Sequence, residues 1–172
     1  MNDVAWSRDG KWLASGGGSQ GQGDNEELFV WDMRSLERHP AWGAGNRVLS
    51  GHPGIVYTVA WGPTGAVLVS GGSDGMLRWW DRHSGECVQT RQAHQGTVQS
   101  LKVGPDGRLL ASCGDDGALN VWELASSKQL RTLRRDRPYE RLDISGAKGL
   151  TQVQRASLSA LGAIEHPPVS DI

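Results

Sequence analysis

Short apolar runs recur along most of the chain, and turn-forming residues separate them. In the middle of the sequence the runs occupy residues 56–61, 66–71 and 76–80. The segments between them read Gly-Pro-Thr-Gly and Ser-Asp-Gly, combinations that favour tight turns. Runs of about six apolar or alternating residues between such turns are typical of β-strands joined as hairpins. The pattern therefore predicts an all-β structure.

The strand pattern repeats when the sequence is shifted against itself by 42 positions. At this shift several polar and aromatic residues align with identical residues. Such matches are less likely to arise by chance than matches between apolar residues. The aligned pairs are His52 with His94, Ser70 with Ser112, Asp74 with Asp116 and Trp80 with Trp122. A repeat of about 40 to 45 residues is the signature of propeller blades that have four strands each.

A third, earlier copy aligns at a shift of 55, where Val4-Ala5-Trp6 matches Val59-Ala60-Trp61. Its extra residues fall between the second and third strands and after Trp31. We predict three four-stranded antiparallel blades at about residues 2–50, 51–91 and 93–134, within a propeller region spanning 1–135. Three blades form only an incomplete propeller arc.

Residues 136–172 leave the repeat and are predicted to form a tail with one short helix near 152–161. Thr151 and Gln154 have the spacing of a capping box, and Gly162 supplies a C-terminal stop. An apolar stripe follows the helical period, at Val153, Ala156, Ala160 and Leu161.

Composition narrows the possible partners and cofactors. The 18 Lys and Arg nearly balance the 19 Asp and Glu, so charge favours neither nucleic acid nor a membrane as partner. Five arginines cluster between residues 131 and 141, but acidic residues are interleaved with them.

The sequence contains neither a signal core nor an apolar run long enough to cross a bilayer, which predicts a cytoplasmic protein. Cys87 and Cys113 form no CxxC pair, so no metal site is expected.

The repeated residues resemble those of the WD-repeat family. The matching segments are Gly51-His52, Ser70 through Gly75 and Trp80-Asp81, with His94, Ser112 through Gly117 and Trp122-Glu123 in the next copy. The sequence departs from the family pattern at Ala93 and Glu123, and the first copy lacks the Gly-His pair. The resemblance implies that each full repeat holds a structural tetrad, in which hydrogen bonds run from Trp to Ser to His to Asp. It also implies a non-catalytic scaffold that binds protein partners of unknown identity.

Two features invite a catalytic or cofactor-binding interpretation, and both are weak. Ser, His and Asp are the parts of a hydrolase triad, but here they recur in two copies, whereas a catalytic site is normally built once. The Gly-rich stretch 16–23 lacks the Lys and the Ser or Thr that a phosphate-binding loop requires. We therefore predict no catalytic residues and no cofactor.

Partner-binding residues are predicted on one face of the arc. In the family, the loops that join the outer strand of one blade to the inner strand of the next lie on the same face as the turns between the second and third strands. Tyr57 and Gln99, each five residues after a repeat His, are expected at its rim, although an ordinary strand position is an equal alternative for Tyr57. Trp42 is either an anchor for its loop or an exposed contact.

The tail from Arg137 to Ala163 also resembles the segment that closes propellers in some large bacterial signalling NTPases. This similarity suggests an alternative function, as the sensor segment of such a protein. In either case the arc leaves two apolar faces bare, so we expect it to associate with missing blades of a parent chain or with a second copy of itself.

Overall fold

A computed structural model describes residues 1–18, 28–35, 47–134 and 142–165. In these residues the chain forms three four-stranded antiparallel sheets and one short helix, which confirms the predicted fold class. Blade one contains β1 (Asp3–Trp6), β2 (Trp12–Gly16), β3 (Leu28–Asp32) and β4 (Arg47–Val48). Blade two contains β5 (Val56–Trp61), β6 (Val67–Gly72), β7 (Met76–Asp81) and β8 (Cys87–Gln92), and blade three contains β9 (Val98–Val103), β10 (Leu109–Gly114), β11 (Ala118–Glu123) and β12 (Lys128–Arg134).

Within each blade the strands follow one another in chain order as a simple meander. Tight turns at glycines with positive φ make this possible, for example Gly75 at +73° and Gly117 at +68° between the second and third strands. Burial decreases outward. The inner strands of blade two are mostly buried, whereas all residues of its outer strand β8 are exposed.

The hydrophobic cores lie between neighbouring blades, because successive side chains of a strand point to opposite faces of the sheet. Val59 and Trp61 of β5 pack with Ala14 and Val30 of blade one. The intervening Ala60 belongs to the second core, which combines residues of blades two and three. Blade two therefore has an upstream face toward blade one and a downstream face toward blade three.

The chain divides into two compact units, residues Met1–Leu133 and Arg134–Ile172. In the second unit α1 (Gln152–Ala160) begins at Thr151, which forms a complete capping box with Gln154. The helix contains no buried residue, and Val153 from the predicted apolar stripe is 76% exposed. Among residues 142–165, Ile144 and Ala163 are buried, and they flank a parallel bridge between Asp143 and Ile164.

Candidate interaction surface

Blade three contains an unbroken chain of hydrogen bonds through four side chains. Trp122 Nε1 donates to Ser112 Oγ at 3.0 Å, and His94 Nε2 lies 2.8 Å from the same oxygen. On its other side, His94 Nδ1 lies 2.9 Å from Asp116 Oδ1. His94 and Ser112 are fully buried. A buried imidazole and hydroxyl without partners would be costly, and this chain satisfies both.

Asp116 fixes the direction of the hydrogen bonds in this network. Burial alone would raise its pKa, but hydrogen bonds from His94 and from the backbone N–H groups of Ala118 and Gln95 hold the pKa below the ordinary value. The ionised carboxylate can only accept, so we assign a proton to His94 Nδ1. In the tautomer that carries its proton there, Nε2 accepts from the hydroxyl of Ser112.

Blade two differs from the predicted tetrad at its last step. Trp80 Nε1 and His52 Nε2 each lie 2.7 Å from Ser70 Oγ, as expected. The predicted contact between His52 and Asp74 is not formed, because the buried guanidinium of Arg78 lies between them. Arg78 Nη1 is 3.0 Å from His52 Nδ1 and 2.7 Å from Asp74 Oδ2. The distance from Arg78 to Asp74 is short enough for an ion pair. The Oδ2 atom of Asp74 is buried, and its contact with Arg78 does not have the angles of a hydrogen bond.

The inserted arginine changes the chemistry of His52. An arginine can only donate, so Nδ1 of His52 accepts and the ring proton lies on Nε2, opposite to the assignment for His94. Burial, followed by the positive charge of Arg78, lowers the pKa of His52 to about 4, and the negative charge of Asp74 offsets part of this effect. His52 is therefore neutral at physiological pH.

Asn120 is the residue of blade three that is equivalent to Arg78, and it forms different contacts. Asn120 Nδ2 donates to the carbonyl of Ala93 at 2.6 Å, and its Oδ1 accepts from Gln129 and Thr132 of the outer strand. Sequence reasoning missed both residues. The signal available was a polar residue inside the otherwise apolar strand Met76–Asp81.

Blade one has the first step of the network, because Trp31 Nε1 donates to Ser15 Oγ at 2.9 Å. The same Trp-to-Ser contact therefore occurs in all three sheets, on the third and second strands of each. The family model described as "WD domain, G-beta repeat" matches residues 1–32, 45–81 and 85–123, which together are more than half of the chain.

The chain belongs to the WD-repeat family. WD-repeat proteins typically act as scaffolds for protein interactions. Similar stretches occur in WD repeat-containing protein 18 of Homo sapiens, which is 37% identical over 75 residues, covering 43% of this chain and 17% of that protein. In Arabidopsis thaliana, "Cell division cycle 20.5, cofactor of APC complex" is 30% identical over 90 residues, covering 51% and 19%. The Caenorhabditis elegans periodic tryptophan protein 2 homolog is 29% identical over 92 residues, covering 52% and 9%. The match therefore spans less than a fifth of the length of each of these relatives.

The predicted rim residues of this WD-repeat arc lie at two equivalent irregularities. The pairing of β5 with β6 shifts register between Val56 and Thr58, which leaves Tyr57 at a bulge. The pairing of β9 with β10 shifts in the same way at Gln99. Bulges redirect side chains. Tyr57 is half-buried and Gln99 is exposed, whereas Trp42 lies outside the described residues.

The repeated serines and the two cysteines are the remaining candidate reactive side chains. Ser70 and Ser112 are 0% and 1% exposed, and each bonds to an indole N–H and an imidazole. Both cysteines are free, Cys87 exposed and Cys113 half-buried. In the described residues no cluster of three or more His, Cys, Asp or Glu could hold a metal ion. No helix in that part of the chain is long and apolar enough to cross a membrane.

Proposed function

We propose that this WD-repeat arc is a non-catalytic scaffold that binds protein partners through the face carrying its polar networks. The observation that supports this proposal is the way Asp116 joins two loops. Its carboxylate accepts from Gln95 N in the loop entering blade three and from Ala118 N after the neighbouring turn, at 3.2 and 3.0 Å. The buried network thus stabilises the backbone of a loop surface, which is what a binding platform requires.

Tyr57 and Gln99 are the proposed contact residues on this face. An aromatic side chain that is half-buried keeps a fixed orientation and still offers apolar area, a combination enriched at interface hot spots. Gln99 is oriented by donating from Nε2 to Asp115 Oδ1 at 2.7 Å. Trp42 is a third proposed contact, on sequence grounds alone.

Burial of the repeated serines supports the non-catalytic interpretation. A nucleophile has to reach its substrate. In both blades the serine oxygen is occupied by the tryptophan N–H and is closed to solvent. A serine-directed covalent probe is expected to label neither residue.

The alternative is a sensor segment of a multidomain signalling NTPase, and its support is the sequence resemblance of the tail. Such a sensor would use the same loop face. A nucleotide-binding domain encoded in the same gene distinguishes it from an independent scaffold. For either role we propose a cytoplasmic location, because the exposed free thiol of Cys87 suits a reducing compartment.

The scaffold hypothesis is tested by comparing three forms of the full chain as bait in quantitative capture from lysate. We expect Tyr57→Ala to lose at least about tenfold of a specific protein that wild type retains, since a hot spot is worth about 2 kcal/mol. Val88→Ala is the control, because Val88 is an exposed apolar residue on the outer strand β8. Equal recovery of every captured protein by wild type and Tyr57→Ala would contradict the proposed surface.

A further inference from the structure

The pocket around His52 brings two positive groups into contact when the imidazole is protonated. His52 is 9% exposed, and its ring packs so closely on Gly72 that a Cβ atom there would lie 2.9 Å from Nδ1. Nδ1 is also 3.0 Å from the guanidinium of Arg78, which can only donate. A proton on Nδ1 would therefore face a second donor and a second positive charge at contact distance.

The groups around His52 come from β6, from β7 and from the turn between them. Strand β6 contributes Ser70, whose hydroxyl lies 2.7 Å from Nε2, and β7 contributes Arg78 and the ring of Trp80. The turn contributes Asp74, whose carboxylate lies 2.7 Å from the guanidinium. Among the described residues, Arg78 and Asp74 are the charged side chains that act on the pKa of His52.

Blade three contains the same pocket without an arginine, and its carboxylate contacts the histidine directly. Asp116 Oδ1 lies 2.9 Å from His94 Nδ1, and the two side chains are 10% and 0% exposed. Asp74 is the residue of blade two that is equivalent to Asp116. A carboxylate accepts from an Nδ1–H group whether or not the ring carries a second proton, so this arrangement accommodates a charged histidine.

Arg78 has a second acceptor available outside the pocket. In blade three the equivalent residue, Asn120, donates to the backbone carbonyl of Ala93 at 2.6 Å. The equivalent carbonyl in blade two belongs to Gly51, an exposed residue of the loop that enters the blade. An arginine has a long aliphatic stem, so the guanidinium can leave the pocket and reach this carbonyl or solvent while the stem stays packed.

We propose that blade two contains an acid-operated switch, in which protonation of His52 exchanges its partner from Arg78 to Asp74 and moves the guanidinium to the loop surface. At neutral pH the guanidinium lies between the imidazole and the carboxylate, as in the structure. In acid the imidazolium pairs directly with the carboxylate, in the arrangement that blade three already has. The switch requires no bound partner, so it goes beyond the scaffold hypothesis and does not depend on it.

The exchange keeps the charges of the pocket balanced. Before it, the pocket holds one guanidinium and one carboxylate, and after it one imidazolium and the same carboxylate. Protonation without exchange would leave a third charge buried and unpaired, which is costly. Burial, followed by the charge of Arg78, lowers the pKa of His52 to about 4, so the exchange is expected close to that pH.

Nuclear magnetic resonance on the full, isotope-labelled chain tests the switch during a titration from neutral pH through about pH 4. The ring signals of His52 report its protonation. The Nε–H signal of Arg78, assigned by its absence from Arg78→Asn, reports the surroundings of the guanidinium. We expect this signal to move to the position of solvent-exposed arginines over the same pH range in which His52 titrates. The backbone signals of residues 51–55 should remain those of a folded loop.

Two variants change the titration in opposite directions. Arg78→Asn gives blade two the residue that blade three has, so Asp74 can contact His52 at every pH. We expect the midpoint of His52 to rise by at least about 1 pH unit, because a positive neighbour is lost and a carboxylate contact is gained. Asp74→Asn keeps an oxygen acceptor for Met76 N but loses the negative charge, and it should lower the midpoint. Arg131→Asn, which removes an exposed charge from β12, is the control and should leave the midpoint unchanged.

Four results would overturn the proposal. An Arg78 signal that stays in place while His52 titrates would show that no exchange occurs. Signals of an unfolded loop at residues 51–55 would show that the histidine leaves the pocket instead. Equal His52 midpoints in wild type and Arg78→Asn would show that the guanidinium does not control the proton. Unfolding of the whole chain before His52 titrates, followed by circular dichroism, would show that no folded acid state exists.

Discussion

Replacing Asp116 by Ala tests whether the polar network of blade three stabilises the fold. The substitution removes the acceptor for His94 Nδ1, a donor on a side chain that is 0% exposed, together with the acceptors for Gln95 N and Ala118 N. The exposed N–H of Gln95 can turn to water, so its loss contributes little. The main effects are the unpaired N–H of the His94 imidazole and the unpaired N–H of Ala118, a residue that is 2% exposed.

The expected magnitude follows from these two donors. A buried group left without its partner costs about 1 to 3 kcal/mol. His94 can reduce this by moving its proton to Nε2 and donating to Ser112, the arrangement that His52 already has with Ser70. We therefore expect a loss of about 2 kcal/mol in the free energy of unfolding, which lowers the thermal midpoint by about 4 to 8 °C in a chain of this size.

Urea unfolding followed by tryptophan fluorescence and circular dichroism measures this loss. Glu86→Ala is the matched control, because Glu86 carries an exposed carboxylate in the turn between β7 and β8. We expect it to change stability by less than about 0.5 kcal/mol. An unfolding midpoint for Asp116→Ala equal to that of the Glu86 control would refute the stabilising role of the network.

Three further predictions concern blade two and its junctions. The pKa of His52 is about 4 in the folded chain against 6.5 in the unfolded chain, so the unfolded state binds the proton first as the pH falls. The free energy of unfolding should therefore decrease by about 3 kcal/mol in all between pH 6.5 and pH 4. His52→Gln should lose this pH dependence in urea titrations at several pH values. Arg78→Ala removes the ion-pair partner of the Asp74 carboxylate, which is 20% exposed and keeps the hydrogen bond from Met76 N, and should destabilise the chain by about 1 to 3 kcal/mol. Removing both charges together should cost less than the sum of the two single changes, which a double-mutant cycle measures. Thr58→Val removes the acceptor for Leu101 N and the hydroxyl donor to Asp3 Oδ2 with little change in side-chain volume, and it should cost about 1 to 3 kcal/mol by chemical denaturation; unchanged stability would count against both junction bonds.

The sequence predicts the blades because the strands carry their own apolar patterns and most of the described turns contain a glycine. Shifting the chain against itself aligns Trp80 with Trp122 and Ser70 with Ser112, and the structure pairs these residues within blades. Local periodicity is sufficient for this part of the fold.

The contacts that sequence reasoning missed connect residues of different strands or blades. Arg78 enters the network of His52 because its long side chain folds back toward the loop, and strand periodicity contains no information about that direction. The bond between Asp3 and Val59 crosses a blade junction, so it depends on how two sheets are offset. The bulge at Tyr57 likewise depends on register with the neighbouring strand.

The three WD blades form an open arc, and apolar residues of the first and last blades are exposed among the described residues. We expect these exposed residues to drive association, which light scattering on the purified chain measures across a range of concentrations. The expected result is a species of more than one copy that dissociates on dilution. A compact chain of about 18.6 kDa that stays single at every concentration and unfolds in one cooperative transition would refute this expectation.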